Sequence, residues 1–185
     1  MTGGVLTRWV DCILAKPLRH LFQTPQRMLR DYVKRGMTVL DVGCGAGYYS
    51  LGMARLVGSN GRVVSVDPQA KMIEALKQRA AQGGLSGHIG PRVCSGRDLE
   101  IDDLAGQVDF ALAVYVVHHA ADPAGLMSDV HRALKPGGMF LIVEPRHHAS
   151  AAEREATEAA AQQAGFAIVD HPKLSRDWAV RFVKS

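Results

Sequence analysis

Cysteines are scarce in this chain. Cys12, Cys44 and Cys94 are the only three in 185 residues, and no two form a C-x-x-C pair. Neither a disulfide framework nor a cysteine-based zinc site is supported, and small buried thiols are expected. No run reaches the roughly 18 uninterrupted apolar residues that a membrane span requires. The one apolar patch near the N-terminus is broken by Arg8 and Asp11, so a secretory leader is not expected and the cytoplasm is the expected compartment. Low-complexity tracts and internal repeats are missing too, which removes the disordered and fibrous classes.

What is present is an ordinary globular composition, 47% apolar and 22% charged, in a chain long enough to bury one core. One domain over 1–185 is expected, with an N-terminal helical segment over 1–36 and a core over 37–185. Charge is uneven between the two. Met1 to Gly36 holds seven Lys/Arg against Asp11 and Asp31, a net of +5, and the remaining 15 basic and 16 acidic residues leave −1. A basic segment of this kind suits an acidic substrate, a nucleic acid or a membrane surface. A solvated helix face of alternating charge is the simpler reading, and a nucleic-acid partner is not expected.

Periodicity divides the chain in the same place. Leu6, Trp9, Val10, Ile13 and Leu14 recur at helical spacing, and Thr24-Pro25 supplies an N-cap and a first-turn proline for a second helix that Gly36 should end. Trp9, Leu14, Leu18, Leu21 and Phe22 are candidates to pack on the core, to cover a ligand crevice or to pair with a second copy of the chain. From Thr38 onward, short β-branched runs alternate with amphipathic stretches. Strands are expected at Thr38 to Val42, Arg62 to Val66, Pro91 to Cys94, Val108 to Val114 and Met139 to Glu144. Helices are expected around Tyr48 to Val57, Gln69 to Ala81, Pro123 to Leu134 and Ser150 to Ala164, with Gly58, Gly83 and Gly165 as left-handed caps. That alternation implies an α/β, Rossmann-like three-layer sandwich around a mostly parallel sheet. The last two runs, Phe166 to Asp170 and Trp178 to Val183, are joined by a loop too short for a helical crossover, so an antiparallel hairpin should complete seven strands.

The stretch "VLDVGCGAGYYS" after the first helices and "VVSVD" some twenty residues later suggest a nucleoside site. A dinucleotide turn would want a third glycine where Tyr48 stands; the glycines here are Gly43, Gly45 and Gly47. A tyrosine at that point fits a pyrophosphate poorly, and Asp41 beside the turn would repel one while suiting an ammonium or sulfonium. A nicotinamide-dependent oxidoreductase is therefore the weaker alternative.

These segments resemble the class I methyltransferases that use S-adenosylmethionine, in the small-molecule, quinone-biosynthesis-like branch. "VLDVGCGAGYYS" is similar to their first motif, "VVSVD" to their second, "VDFALAVYVVHH" to their fourth strand and loop, and "ALKPGGMFLIVEP" to the turn into their fifth strand. The resemblance implies that Gly43, Gly45, Gly47 and Tyr48 wrap the methionine part of the cofactor, with Asp41 near its ammonium. Asp67, followed by Pro68, would accept both ribose hydroxyls, as a carboxylate with two oxygens can. Arg97 or Asp98 would meet adenine, and Ala113 and Tyr115 would line the floor under the methionine end.

Methyl transfer from a sulfonium asks the protein mainly to align and to exclude water. His118 and His119 lie where the family keeps residues facing the acceptor, and His118 is the first candidate for a base or orienting donor. Glu144, Arg146, His147 and His148 follow the fifth strand on the same edge. No metal is expected, because neighbouring histidines on extended chain point apart.

Missing motifs narrow the acceptor. The absence of Asn/Asp-Pro-Pro-Tyr after the fourth strand disfavours adenine and glutamine amines. The absence of Pro-Cys or Cys-Cys disfavours cytosine C5 and thiolate-bound arsenic, and the catechol-type metal set is lacking too. A small-molecule acceptor is expected, with a homodimer through the N-terminal helices as a further expectation. A non-catalytic cofactor-binding or RNA-associated subunit is the alternative of another class.

Overall fold

The computed structural model describes residues 25–146, 150–174 and 177–185. Expectations for Trp9, Leu14, Leu18, Leu21, Phe22, Cys12, Thr24, His147 and His148 lie outside these residues. In chain order the elements are α1 (Pro25–Leu29), β1 (Thr38–Val42), α2 (Tyr48–Val57), β2 (Arg62–Asp67), α3 (Ala70–Gln82), β3 (Ile89–Val93), β4 (Val108–Val114), α4 (Pro123–Ala133), β5 (Leu134–Pro145), α5 (Ala151–Gln163), β6 (Phe166–Asp170) and β7 (Asp177–Lys184). Single 3₁₀ turns lie at Asp102–Leu104 and Val117–His119.

The seven strands form one sheet in the order β3-β2-β1-β4-β5-β7-β6. Pairings from β3 through β5 are parallel, and β7 runs antiparallel to both β5 and β6. Chain order reverses between β1 and β4, so their connections leave to opposite sides and open a crevice at the carboxyl ends of the strands.

Both faces of the sheet are buried, as parallel strands with crossover helices require. Alternate residues of β1 and β4 serve the two faces. Val39, Phe110 and Leu112 pack with Leu29, Met53, Val57, Ile73 and Leu76 under α1, α2 and α3. Leu40, Val42, Ala111 and Ala113 pack with Leu126, Met127, Val130 and Ala161 under α4 and α5. Helix starts follow local chemistry. Asp122 accepts from the Gly125 N–H with Pro123 in the first turn, and Ser150 with Glu153 forms a reciprocal capping box on α5.

Several boundaries differ from the sequence expectation. The helix expected to run to Gly36 ends at Leu29 and passes into turns through Tyr32; Tyr32 stacks on Phe110 of β4 and Val33 is buried in the same cluster as Val39 and Phe110. Gly83 has φ −86, and Gly84, at φ +65, is the left-handed residue after α3. The third strand begins at Ile89 rather than Pro91, and β5 begins at Leu134, because pairing with β4 continues through Val108 opposite Leu134. No helix of the described residues is long and apolar enough to cross a membrane.

Candidate functional site

The crevice is built from the ends of β1, β2, β4 and β5. After β1 the chain turns through Gly43, Gly45 and Gly47 at φ +64, +52 and +85. Two of these positions are closed to side chains by packing as well as by backbone conformation. A Cβ on Gly43 would lie 2.4 Å from Val116 Cγ2, and one on Gly47 would lie 2.2 Å from Leu76 Cδ1. Val116 belongs to the loop after β4, so the glycine turn is held against the neighbouring edge.

Asp67 closes β2 and is 2% exposed. Its Oδ2 accepts the Gly45 N–H at 2.9 Å and its Oδ1 accepts the Gln69 N–H at 2.8 Å. Burial pushes this carboxyl up, and the bonds from Gln69 and Gly45 pull it part of the way back. Asp41 points from β1 toward α2, where its Oδ2 accepts the Ser50 hydroxyl at 2.5 Å; Ser50 in turn accepts the Ser65 hydroxyl at 3.0 Å. All three residues are buried. Burial raises the Asp41 carboxyl from 3.8 to about 7; the Ser50 bond opposes this, and the charge of Asp67 adds to it.

This donor and acceptor set fits a ligand carrying a positive charge and adjacent hydroxyls. Each Asp67 oxygen accepts one backbone N–H and has capacity for a second donor. A cation facing Asp41 would offset what burial and Asp67 impose on it, whereas a pyrophosphate would worsen it. A Cβ on Gly96 would lie 3.4 Å from that of Pro68, so the loop carrying Arg97 and Asp98 runs beside the end of β2. Both residues are exposed. Ser95 Oγ accepts both of their N–H groups, and Asp98 Oδ1 accepts the Glu100 N–H at 2.6 Å. Tyr48 opens α2, stacks edge-on with Tyr49 and lines a hollow of about 220 Å³ with Pro25, Gln26, Leu51, Arg55 and Arg79. Cys44 and Cys94 are buried and unbridged, and burial pushes both thiols up.

On the other side of the crevice Ala113 is fully buried in β4. Tyr115 follows at φ +62, a strained conformation for a bulky residue. It is held there by its N–H donating to Val143 O at 2.8 Å and its hydroxyl donating to Asp177 Oδ1 at 2.6 Å. His118 and His119 sit on the 3₁₀ turn, not on extended chain, and their rings are 3.8 Å apart. His118 Nδ1 bonds Glu144 Oε2, while Glu144 Oε1 accepts the Val117 N–H at 2.8 Å. Among the described residues no group of three or more His, Cys, Asp or Glu is arranged to hold a metal.

Sequence reasoning passed over Ser50, Ser65 and Val116, and it did not pair Glu144 with His118. A signal existed for Glu144: an acid closing the apolar run "FLIV" must have a partner if the strand is central. Ser50 and Ser65 carried none, since a serine in a helix or strand looks the same whether or not it faces a carboxylate.

An open sheet with a glycine turn after β1 and a buried acid closing β2 defines a Rossmann-like α/β protein. The profile of the methyltransferase domain matches residues 33–180, and the chain belongs to that family. Over 107 residues it is 36% identical to the ubiquinone biosynthesis O-methyltransferase of Caulobacter vibrioides, a stretch covering 58% of this chain and 40% of that protein. A ubiquinone/menaquinone biosynthesis C-methyltransferase of Cellvibrio japonicus is 32% identical over 112 residues, covering 60% of this chain and 44% of the relative. The match thus spans less than half the length of these curated relatives. The fold is shared with a SAM-dependent methyltransferase from Aquifex aeolicus at TM-score 0.83 and 21% identity, over 96% of this chain and 98% of that one.

Proposed function

We propose that this chain transfers a methyl group from S-adenosylmethionine to a small-molecule acceptor. The observation that carries the reading is Asp67: a buried carboxylate at the end of β2, tied to the glycine turn by the Gly45 N–H, with acceptor capacity to spare for two ribose hydroxyls. Gly43, Gly45, Gly47 and Tyr48 wrap the methionine moiety and Asp41 faces its positive charge. Pro68, Arg97 and Asp98 flank the adenine, and Ala113 and Tyr115 form the floor. When bound, S-adenosylmethionine supplies a methyl group on a sulfur that is already a good leaving group. The chain's own residues hold the two reactants in line and keep water out. His118 and His119 face the acceptor.

One relative is named an O-methyltransferase and another a C-methyltransferase of quinone biosynthesis, which supports a small-molecule acceptor for this chain. The cytoplasm is the proposed compartment for a biosynthetic methyltransferase of this kind. Pairing with a second copy through the N-terminal segment is proposed on its apolar periodicity alone, and nucleic acid is not a proposed partner.

Titration calorimetry with S-adenosylmethionine, S-adenosylhomocysteine and NAD, on the parent and on Asp67→Ala, tests the reading. Binding of the first two is expected, weakened by about 1 to 3 kcal/mol in the variant, the cost of leaving the ribose donors unpaired. Binding of NAD alone would sink the proposal.

A further inference from the structure

We infer that Glu144 is a positioning residue that holds His118 as the Nδ1–H tautomer, so that Nε2 is the nitrogen that takes a proton from an acceptor hydroxyl. This rests on the methyltransferase reading for its chemistry but not for its geometry. Glu144 closes β5 with its side chain 3% exposed. A carboxylate buried to that degree must be fully engaged, and both oxygens are: Oε1 accepts the Val117 N–H and Oε2 meets His118 Nδ1. The backbone bond matters as much as the imidazole bond. It fixes the rotation of the carboxylate, and it comes from the residue next to His118, so acid and ring are registered through one 3₁₀ turn. A carboxylate only accepts, hence Nδ1 carries the hydrogen and Nε2 the lone pair. Among the described residues, the titratable groups beside this ring include His119, at 3.8 Å between centroids, and Glu153 in the first turn of α5, which couples to it electrostatically.

The consequence concerns the acceptor class. A fixed imidazole base serves a nucleophile that has a proton to lose, such as a phenol or enol, and adds nothing for a thioether or tertiary amine. In the step, the O–H proton passes to His118 Nε2 and the oxygen electron pair forms the bond to the methyl carbon. The pair of the breaking carbon–sulfur bond stays on sulfur, which becomes a neutral thioether.

Long-range proton–nitrogen NMR of the full chain with ¹⁵N-labelled histidine reads the tautomer directly, with His118→Gln for assignment. The parent protein is expected to show His118 as Nδ1–H, and an Nε2–H signature there would overturn the inference without need of any variant at Glu144. In Glu144→Gln the Val117 N–H still demands the amide oxygen, which turns the amide NH₂ toward Nδ1. Nδ1 must then accept, and the tautomer should invert to Nε2–H; a merely structural glutamate would leave it unchanged.

For the acceptor class the probe is 4-nitrophenol in the presence of S-adenosylhomocysteine. Bound phenolate absorbance is expected in the parent and its loss in Glu144→Gln, whereas the same absorbance in both would overturn the proton-accepting role. Calorimetry with S-adenosylmethionine on both proteins separates the two proposals, because failure of the parent to bind it removes the methyltransferase reading and leaves the tautomer result standing.

Discussion

At the carboxyl ends of β1 and β2 the acid that closes β2 is held by backbone N–H groups: Gly45, 22 residues away, and Gln69 both donate to Asp67, alongside the buried relay from Ser65 through Ser50 to Asp41. At the ends of β4, β5 and β7 they run largely between side chains far apart in the chain. His118 meets Glu144 across 26 residues and Tyr115 meets Asp177 across 62. The first edge needs residue types that permit a turn, which is a local requirement. The second needs a sheet order that sets β5 beside β4 and β7 beside β5, a requirement on the whole chain. One edge of the crevice is thus built around a glycine motif, whatever tertiary contacts brace it, and the other is an assembly throughout.

The difference can be tested by damage. Gly43→Ala should do the most. Its Cβ would fall 2.4 Å from Val116 Cγ2 at a φ of +64, combining overpacking with left-handed strain for a loss of about 2 to 4 kcal/mol in urea unfolding. Adding Val116→Ala should recover the overpacking share and leave the strain. Full recovery would mean that the turn tolerates a side chain and is not a rigid edge.

A second test uses pH. The Asp41 carboxyl is raised to about 7, primarily by burial. A group whose pKa is higher folded than unfolded contributes stability that is complete below its unfolded value and is lost as pH rises through the folded one. The ligand-free protein should therefore lose stability between roughly pH 4 and 7, and Asp41→Asn should flatten that slope in thermal unfolding. A cationic ligand favours the ionised carboxylate, so S-adenosylmethionine affinity should climb over the same window in the parent and less steeply in the variant.

Tyr115→Phe should have the smallest effect. Losing the hydroxyl bond to Asp177 should cost about 1 kcal/mol of stability and, because the proposed floor is the Tyr115 backbone rather than its hydroxyl, change S-adenosylmethionine affinity in calorimetry little. A large loss of cofactor affinity would show that the two edges are not separable.

Legibility followed the same divide. The spacing of Gly43, Gly45 and Gly47, the apolar run into Asp41 and the acid after "VVSV" pointed to the turn and to Asp67, because glycine and a strand-end carboxylate are local solutions to local problems. Strands β1 and β4 and helix α2 were read to the residue; Gly43 stops β1, Gly47 and Gly58 bracket α2, and β4 is one apolar run broken only by Asp109. Asp98 was legible as a loop acid, but its bond to the Glu100 N–H was not, because an Asx turn and a ligand contact call for the same side chain. Helix α1 was read too long, as its periodicity continues through Tyr32 and Val33 although those side chains are directed by the sheet.

By itself the sequence determined the alternation of strands and helices, the parallel sheet with its closing hairpin, and the glycine turn with its acid. Each follows from periodicity or backbone freedom within a few residues. Only the tertiary structure decided that Val116 seals Gly43, that Ser65 and Ser50 hand a hydrogen bond to Asp41, and that Glu144 holds His118. Those contacts join residues from different strands, and hydrogen bonding and packing depend on distance in space, which the order of residues along the chain does not state.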